Sequence, residues 1–269
     1  MDKRPIGIFD SGLGGLSAVK AALKYMPNES IVYFGDTQRV PYGSRSEETI
    51  ESFAAEDIAF LEKFNCKLIM AACGTVSSVA VNATSKIKEH FVGVVKPSCK
   101  AAVKATRNGK IGVMATAASI NSGAYTREIQ NINPNMIVEG VSCPVLVTLV
   151  ENNWIDEDDY ISREIIKRYS APLLEKGVDT IILGCTHFPH LAPLIQSVVG
   201  DDIVLIDSGY EAVMEAKQIL QENNMENKGE KGENRYFVSD KIQNFSCMAN
   251  TLLGVDISDK VEYKNITES

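Results

Sequence analysis

Short runs that are apolar at every position, not at every second one, recur along this chain. A strand of that kind needs cover on both faces, which parallel sheets under layers of helix provide. The pattern predicts strands at PIGIFD (5–10), SIVYFGD (30–36), KLIMAAC (67–73), FVGVV (91–95), KIGVMAT (110–116), MIVEGVS (136–142), TIILGC (180–185), IVLID (203–207) and RYFVS (235–239). Helical spacing fills the gaps. Val19, Ala22, Leu23 and Met26 share one face of 17–26, and Ile50, Phe53, Ile58 and Leu61 one face of 48–64. Alternating strands and helices point to an α/β fold with mostly parallel sheets flanked by helices.

The chain also echoes itself. IGIFDSGLGG (6–15) and IVLIDSGYEA (203–212) both read as strand, Asp-Ser-Gly, helix. Between them, Cys73 ends one apolar run and Cys185 another, so the order is Asp-Ser-Gly, Cys, Cys, Asp-Ser-Gly. This predicts two pseudo-symmetric lobes facing each other with the active site between them. Residues 1–96 plus 208–269 would form the first lobe and 97–207 the second. The plainer alternative is that Asp-Ser-Gly is a common strand-to-helix turn, with Asp or Ser as N-cap. Residues 221–235, QENNMENKGEKGENR, are polar and predicted to be an exposed loop before the last strand.

A net charge of −8 over 269 residues argues against a nucleic-acid partner, which needs a basic footprint. No apolar run approaches the roughly 18 residues of a membrane span, and MDKRPIGIFDSG has no signal-peptide core, so a cytoplasmic protein is expected. The six cysteines form neither a CxxC pair nor a metal-like cluster, so free thiols and no metal are expected.

Two thiols at matched strand ends suit a carbon acid whose configuration is inverted, with a base on one face and an acid on the other. A free thiol has a pKa of roughly 8.5 and needs help to act near neutrality. Both cysteines precede predicted helix starts, VSSVAVNATSKI and PHLAPLIQSVV, whose amides would favour negative charge. His187 lies two residues beyond Cys185 and is placed to assist there. Tyr42, Gly43 and Ser44, after Pro41, would offer amides and hydroxyls to a carboxylate. DSGLGG (10–15) would form a second anion-accepting turn. It lacks the dinucleotide spacing GxGxxG, and no phosphate-binding GxxxxGK[ST] occurs. Cys66, Cys99, Cys143, Cys247 and His190 read as packing residues.

IGIFDSGLGGLSAVKA, YFGDTQRVPYGSRS, the Cys73 segment, GKIGVMATAASINSGAY and ILGCTHFPHL stand here in the order and spacing of glutamate racemases. The resemblance runs from about residue 5 to 210, and GCTHFPHL is its most specific piece. It implies a cofactor-independent isomerase, a homodimer, that supplies D-glutamate to peptidoglycan. By that resemblance Cys73 would take the α-proton from D-glutamate and Cys185 from L-glutamate. Asp10 would assist Cys73, His187 would assist Cys185, and Glu151 in LVENNW would orient His187. Asp10, Ser11, Pro41, Tyr42, Gly43, Ser44, Gly74, Thr75, Thr116, Ser119, Thr186 and His187 would surround the substrate.

Three departures stand out. The family usually has Asn directly after the first cysteine, where this chain has Gly74. Losing a hydrogen bond to a charged group costs about 1.5–3 kcal/mol. Lys96-Pro97-Ser98 stands where the family often has Glu-Pro-Gly. The usual Thr-x-x-Thr turn is Thr116-Ala-Ala-Ser119, which keeps a hydroxyl. Two alternatives follow: a racemase with altered amino-acid preference, or a non-catalytic binding protein on the same scaffold.

Overall fold

The computed structural model describes residues 2–266. Met1 and residues 267–269, which fall within the first expected lobe, lie outside the described residues. In chain order the elements are β1 (Ile6–Asp10), α1 (Leu16–Tyr25), β2 (Ile31–Gly35), α2 (Glu47–Glu62), β3 (Leu68–Ala71), α3 (Gly74–Val79), α4 (Val81–Thr84), β4 (His90–Gly93) and α5 (Val95–Ala105). Next come β5 (Lys110–Ala115), α6 (Ala117–Ser122), α7 (Ala124–Ile132), β6 (Ile137–Ser142), α8 (Pro144–Glu151), α9 (Tyr160–Glu175), β7 (Thr180–Leu183), α10 (Ala192–Val199) and β8 (Val204–Asp207). Last are α11 (Ser208–Glu222), β9 (Asn234–Val238), α12 (Ile242–Leu253) and β10 (Val261–Tyr263).

The strands form two sheets, ordered β10-β9-β2-β1-β3-β4 and β6-β5-β7-β8. Every strand pairing among the described residues is parallel. Two-faced burial explains the continuous apolar runs. Ile6, Ile8, Ile31, Tyr33, Leu68 and Met70 point to one core, with Leu16 and Val19 of α1 and Val213 of α11. The intervening Phe9, Val32, Phe34 and Ile69 point to a second core, with Ile50, Ile58 and Leu61 of α2. Alternate side chains of a strand face opposite ways, so both sets must be apolar. Each such side chain contributes roughly 1.5–3 kcal/mol when fully buried.

The order β2-β1-β3-β4 of one sheet is repeated as β6-β5-β7-β8 in the other. The two cysteines follow the third strand of each set and are equivalent. The Asp-Ser-Gly turns are not. One follows the first strand of its set and the other follows the fourth. They also work differently: Asp207 caps α11, accepting from the amides of Gly209 and Tyr210, whereas the N-cap position of α1 is Gly15, with no side-chain cap. The echo of these turns is therefore local turn chemistry, while the duplication lies in strand order.

Two further expectations change. The segment after Cys185 is a 3-10 turn at Phe188–Leu191, and α10 starts only at Ala192, so the helix expected to begin directly after that thiol begins further along the chain. The polar segment 221–235 is, as expected, a mostly exposed loop between α11 and β9, and it is tethered. The buried Lys67 ammonium donates to the Met225 carbonyl at 2.7 Å and pairs with Glu29, which accepts from the Asn227 amide at 2.8 Å. The last strand is the short β10, whose three residues carry no readable periodicity.

Candidate active site

Within each repeated set the order reverses between the first and third strands, and ligands of parallel α/β sheets bind beyond the carboxyl ends of strands at such points. The registers fix who meets there. Phe9 pairs with Ala71, which sets Asp10 beside the Ala72–Cys73 segment. Met114 pairs with Leu183, and the Gly184 amide donates to the Met114 carbonyl at 2.8 Å, which sets Thr116 beside Cys185. The two sets face each other across these ends. The Thr75 and Thr116 hydroxyls meet at 3.0 Å, and Thr186 donates to Asp10 Oδ1 at 3.3 Å.

Cys73, Cys185, Asp10, Ser11, Thr75, Thr116, Ser119, Thr186 and His187 are all buried here. Cys73 is the N-cap residue of α3 and makes no side-chain cap hydrogen bond, and the nearby Val76 amide favours its charged form. Its thiol lies 3.8 Å from Ser11 Oγ. Burial, followed by the charge of Asp10, pushes the Cys73 thiol well above its usual range, against the help of Val76 and Ser11. Burial likewise raises Asp10, opposed by the His187 charge and by the amides of Gly15 and Gly12. Those amides correct the anion-accepting reading of DSGLGG: the anion this turn holds is Asp10 itself, with Gly12 N at 2.9 Å.

Cys185 Sγ lies 3.6 Å from His187 Nδ1, and His187 Nε2 lies 2.6 Å from Glu151 Oε1. Glu151, at the end of α8, is therefore a partner of the histidine rather than a solvated helix charge. Burial alone would lower His187. Hydrogen bonds to Cys185 and Glu151 outweigh it and hold the imidazole well above its usual 6.5. The His187 ring therefore holds its proton through neutral pH. Because the folded value is raised, this proton stabilises the fold fully below pH 6.5, and the contribution is lost as pH rises through the folded value. Glu151→Gln is expected to move His187 titration to lower pH, read from imidazole nitrogen shifts. An unmoved titration would show that Glu151 does not hold the proton. His190 behaves differently. Burial, the positive His187 and Lys20 lower it to about 3, consistent with a structural role.

The loop 37–45 forms the rim. Tyr42–Ser44 make one 3-10 turn, with Pro41 and Ser44 exposed. The Tyr42 hydroxyl does not reach the cleft as expected; it is taken up by Asp36 and Asp57 below. Gly43 faces the other lobe, and a methyl group there would come within 2.6 Å of Thr116 Cβ. Thr116 caps α6 and bonds Ser119 Oγ at 3.0 Å.

Gly74 is packed rather than merely lacking a side chain. A methyl group there would overlap the backbone carbonyl oxygen of Gly184, which Tyr125 already engages at 2.9 Å. Two contributors escaped the sequence reading. Gly14 lies flat against the His187 ring, where a methyl group would overlap Nδ1. Tyr33 donates to the Gly12 carbonyl at 2.7 Å and supports the Asp10 turn from below. Gly14 sat in a glycine-rich turn already singled out, but its partner is 173 positions away in the numbering and nothing local signals it. Among the described residues, no three His, Cys, Asp or Glu side chains are grouped to hold a metal ion, and no helix is long and apolar enough to cross a membrane.

The sequence profile of the Asp/Glu/hydantoin racemase family matches residues 14–216. A glutamate racemase from Neisseria meningitidis serogroup A is 40% identical over 258 residues, covering 94% of this chain and 93% of its own. A glutamate racemase isoform from Bacillus anthracis superposes with a TM-score of 0.93 at 34% identity, covering 98% of each chain. The glutamate racemase from Francisella tularensis, solved in complex with D-glutamate, gives 0.92 at 32% identity over the whole of both chains. With two thiols at equivalent strand ends and this agreement over nearly its full length, the chain belongs to the Asp/Glu/hydantoin racemase family.

Proposed function

We propose that this protein is a glutamate racemase that interconverts L- and D-glutamate by two-base proton transfer and supplies D-glutamate for peptidoglycan. The observation that carries the reading is the pair of buried thiols at equivalent strand ends of facing sheets, each with its own polar partner. On this reading Cys185, paired with the His187 imidazolium that Glu151 orients, removes the α-proton of L-glutamate. Cys73, kept as a thiol by burial and Asp10, delivers a proton to the opposite face. Run backwards, the roles exchange. Ser11, Thr75, Thr116, Ser119 and Thr186 supply hydroxyls to the substrate's charged groups, and Tyr42 and Gly43 supply backbone. Pro41 and Ser44 shape the rim, and Gly74 lets the chain after Cys73 pack against the Gly184 carbonyl. Residues 1–96 with 208–269 would form one lobe and 97–207 the other. A cytoplasmic homodimer needing no cofactor completes the proposal.

The test is proton NMR of L-glutamate in D₂O with the purified, reduced protein. Two-base transfer predicts loss of the α-proton signal as D-glutamate appears, with deuterium in the product and protium retained in unreacted substrate early on. Faster turnover of another amino acid would move the substrate, a reading that Gly74 motivates. Binding of glutamate with no deuterium incorporation would favour a non-catalytic binding protein.

A further inference from the structure

Beneath the rim loop lies a cluster of charged side chains into which the Tyr42 hydroxyl points. Arg39 donates to Asp36, to Glu56 Oε2 at 2.6 Å and to Asp57 Oδ1 at 3.2 Å, and its guanidinium lies 4.2 Å from the Phe53 ring centroid. Asp36 and Asp57 are fully buried. Ser239 donates to Asp36 Oδ1 at 2.7 Å. The Tyr42 hydroxyl meets both aspartates, touching Asp36 and lying 3.1 Å from Asp57 Oδ2.

The protons of this cluster can be counted. A phenol has one proton to donate, and it faces two carboxyl groups. Were both ionised, one contact would set a carboxylate oxygen against the phenol's lone pairs in a buried site, where repulsion is poorly screened. Three carboxylates would also share the single Arg39 cation paired with them. One added proton removes both conflicts. Protonated Asp57 donates to the Tyr42 oxygen, Tyr42 donates to ionised Asp36, and Arg39 and Ser239 hold Asp36.

We infer that Asp57, on α2 and outside the cleft, acts as a neutral hydrogen-bond donor that fixes the Tyr42–Ser44 turn, and is a positioning residue for the substrate. Burial and the Asp36 charge do hold the Asp57 carboxyl well above the usual carboxylate range, Arg39 opposing. The link to the cleft is short. Tyr42 precedes Gly43, Gly43 lies against Thr116, and Thr116 bonds Thr75 beside Cys73. A displacement of about 1 Å in such a positioning element can cost a hundred-fold in rate. The inference rests on the racemase reading for its substrate, but the place of the proton does not.

Three variants separate this role from simple packing. Asp57→Asn keeps an N–H donor toward Tyr42 and is expected to hold kcat/KM for glutamate within about three-fold of the parent. Asp57→Leu and Tyr42→Phe break the chain and are expected to raise KM about ten-fold with a much smaller change in kcat. Infrared spectra at about pH 7 should show the C=O stretch of a protonated carboxylic acid, lost in Asp57→Asn and shifted in Tyr42→Phe. Asp57→Asn as damaging as Asp57→Leu, or no such band in the parent protein, would overturn the inference. A parent protein that shows the band but does not turn over glutamate would leave the neutral acid in place and remove the racemase reading instead.

Discussion

Replacing Cys73 with alanine is expected to stop racemisation while sparing the chemistry of one face. Cys185 and the His187–Glu151 pair behind it remain, so L-glutamate can still lose its α-proton, but nothing waits opposite to complete the inversion. Positioned acid–base groups contribute about 10²–10⁴-fold, and the loss should fall toward the upper end because the buried site offers no ready substitute. Any residual deuterium exchange in Cys73→Ala should be confined to L-glutamate, and in Cys185→Ala to D-glutamate. Chiral analysis of glutamate recovered from D₂O separates the two. Racemisation within ten-fold of the parent in either variant, or exchange of both enantiomers by one variant, would sink the two-thiol assignment.

Gly74→Asn gives the second large effect, and its sign decides between two accounts. From the resemblance, Gly74 is a missing amide, and restoring Asn should raise activity. In the structure, a side chain at 74 meets backbone: it overlaps the Gly184 carbonyl oxygen and lies 3.1 Å from its carbon. That carbonyl is fixed by Tyr125, and the Gly184 amide by Met114, so the obstacle cannot turn away as a side chain would. The lobes must part instead. Overpacking of this kind costs typically about 1–3 kcal/mol, close to ten- to a hundred-fold. Both Gly74→Ala and Gly74→Asn are therefore expected to lower kcat/KM by that factor with little change in Tm, since parting the lobes leaves each core intact. A rise in kcat/KM for Gly74→Asn would show that the working cleft has room there and that the missing amide was the limiting feature.

What the sequence disclosed follows from the range of the signals. Doubly buried strands announce themselves locally, because Phe9 and Ile8 must each satisfy a different core. Cys73, Cys185 and His187 were legible because strand ends and short motifs are local too. Strand order was not, since it depends on which of several similar strands pair, and so the two Asp-Ser-Gly turns looked equivalent when they occupy different places. Side-chain direction was also hidden. Tyr42 reads as a substrate-facing hydroxyl until α2 brings Asp57 beneath it. The same holds for Gly14, whose smallness matters only because a ring from the other lobe lies on it.

The two thiols sit on equivalent strands but have unlike neighbours, an imidazole–carboxylate pair behind Cys185 and a serine hydroxyl beside Cys73. Enantiomers have equal free energy in solution, so kcat/KM must be the same in both directions for this protein and for every variant of it. The uneven partners therefore cannot favour either product. On the proposed assignment, what they can affect is the state left between turnovers. On that assignment, converting L- to D-glutamate leaves Cys185 protonated and Cys73 stripped of its proton, a form ready for the D enantiomer and not for the L. Before the next L molecule, a proton must pass back through solvent and a buried cleft. At high flux that reset becomes a step in its own right, and the enzyme carries a memory of the enantiomer it last released.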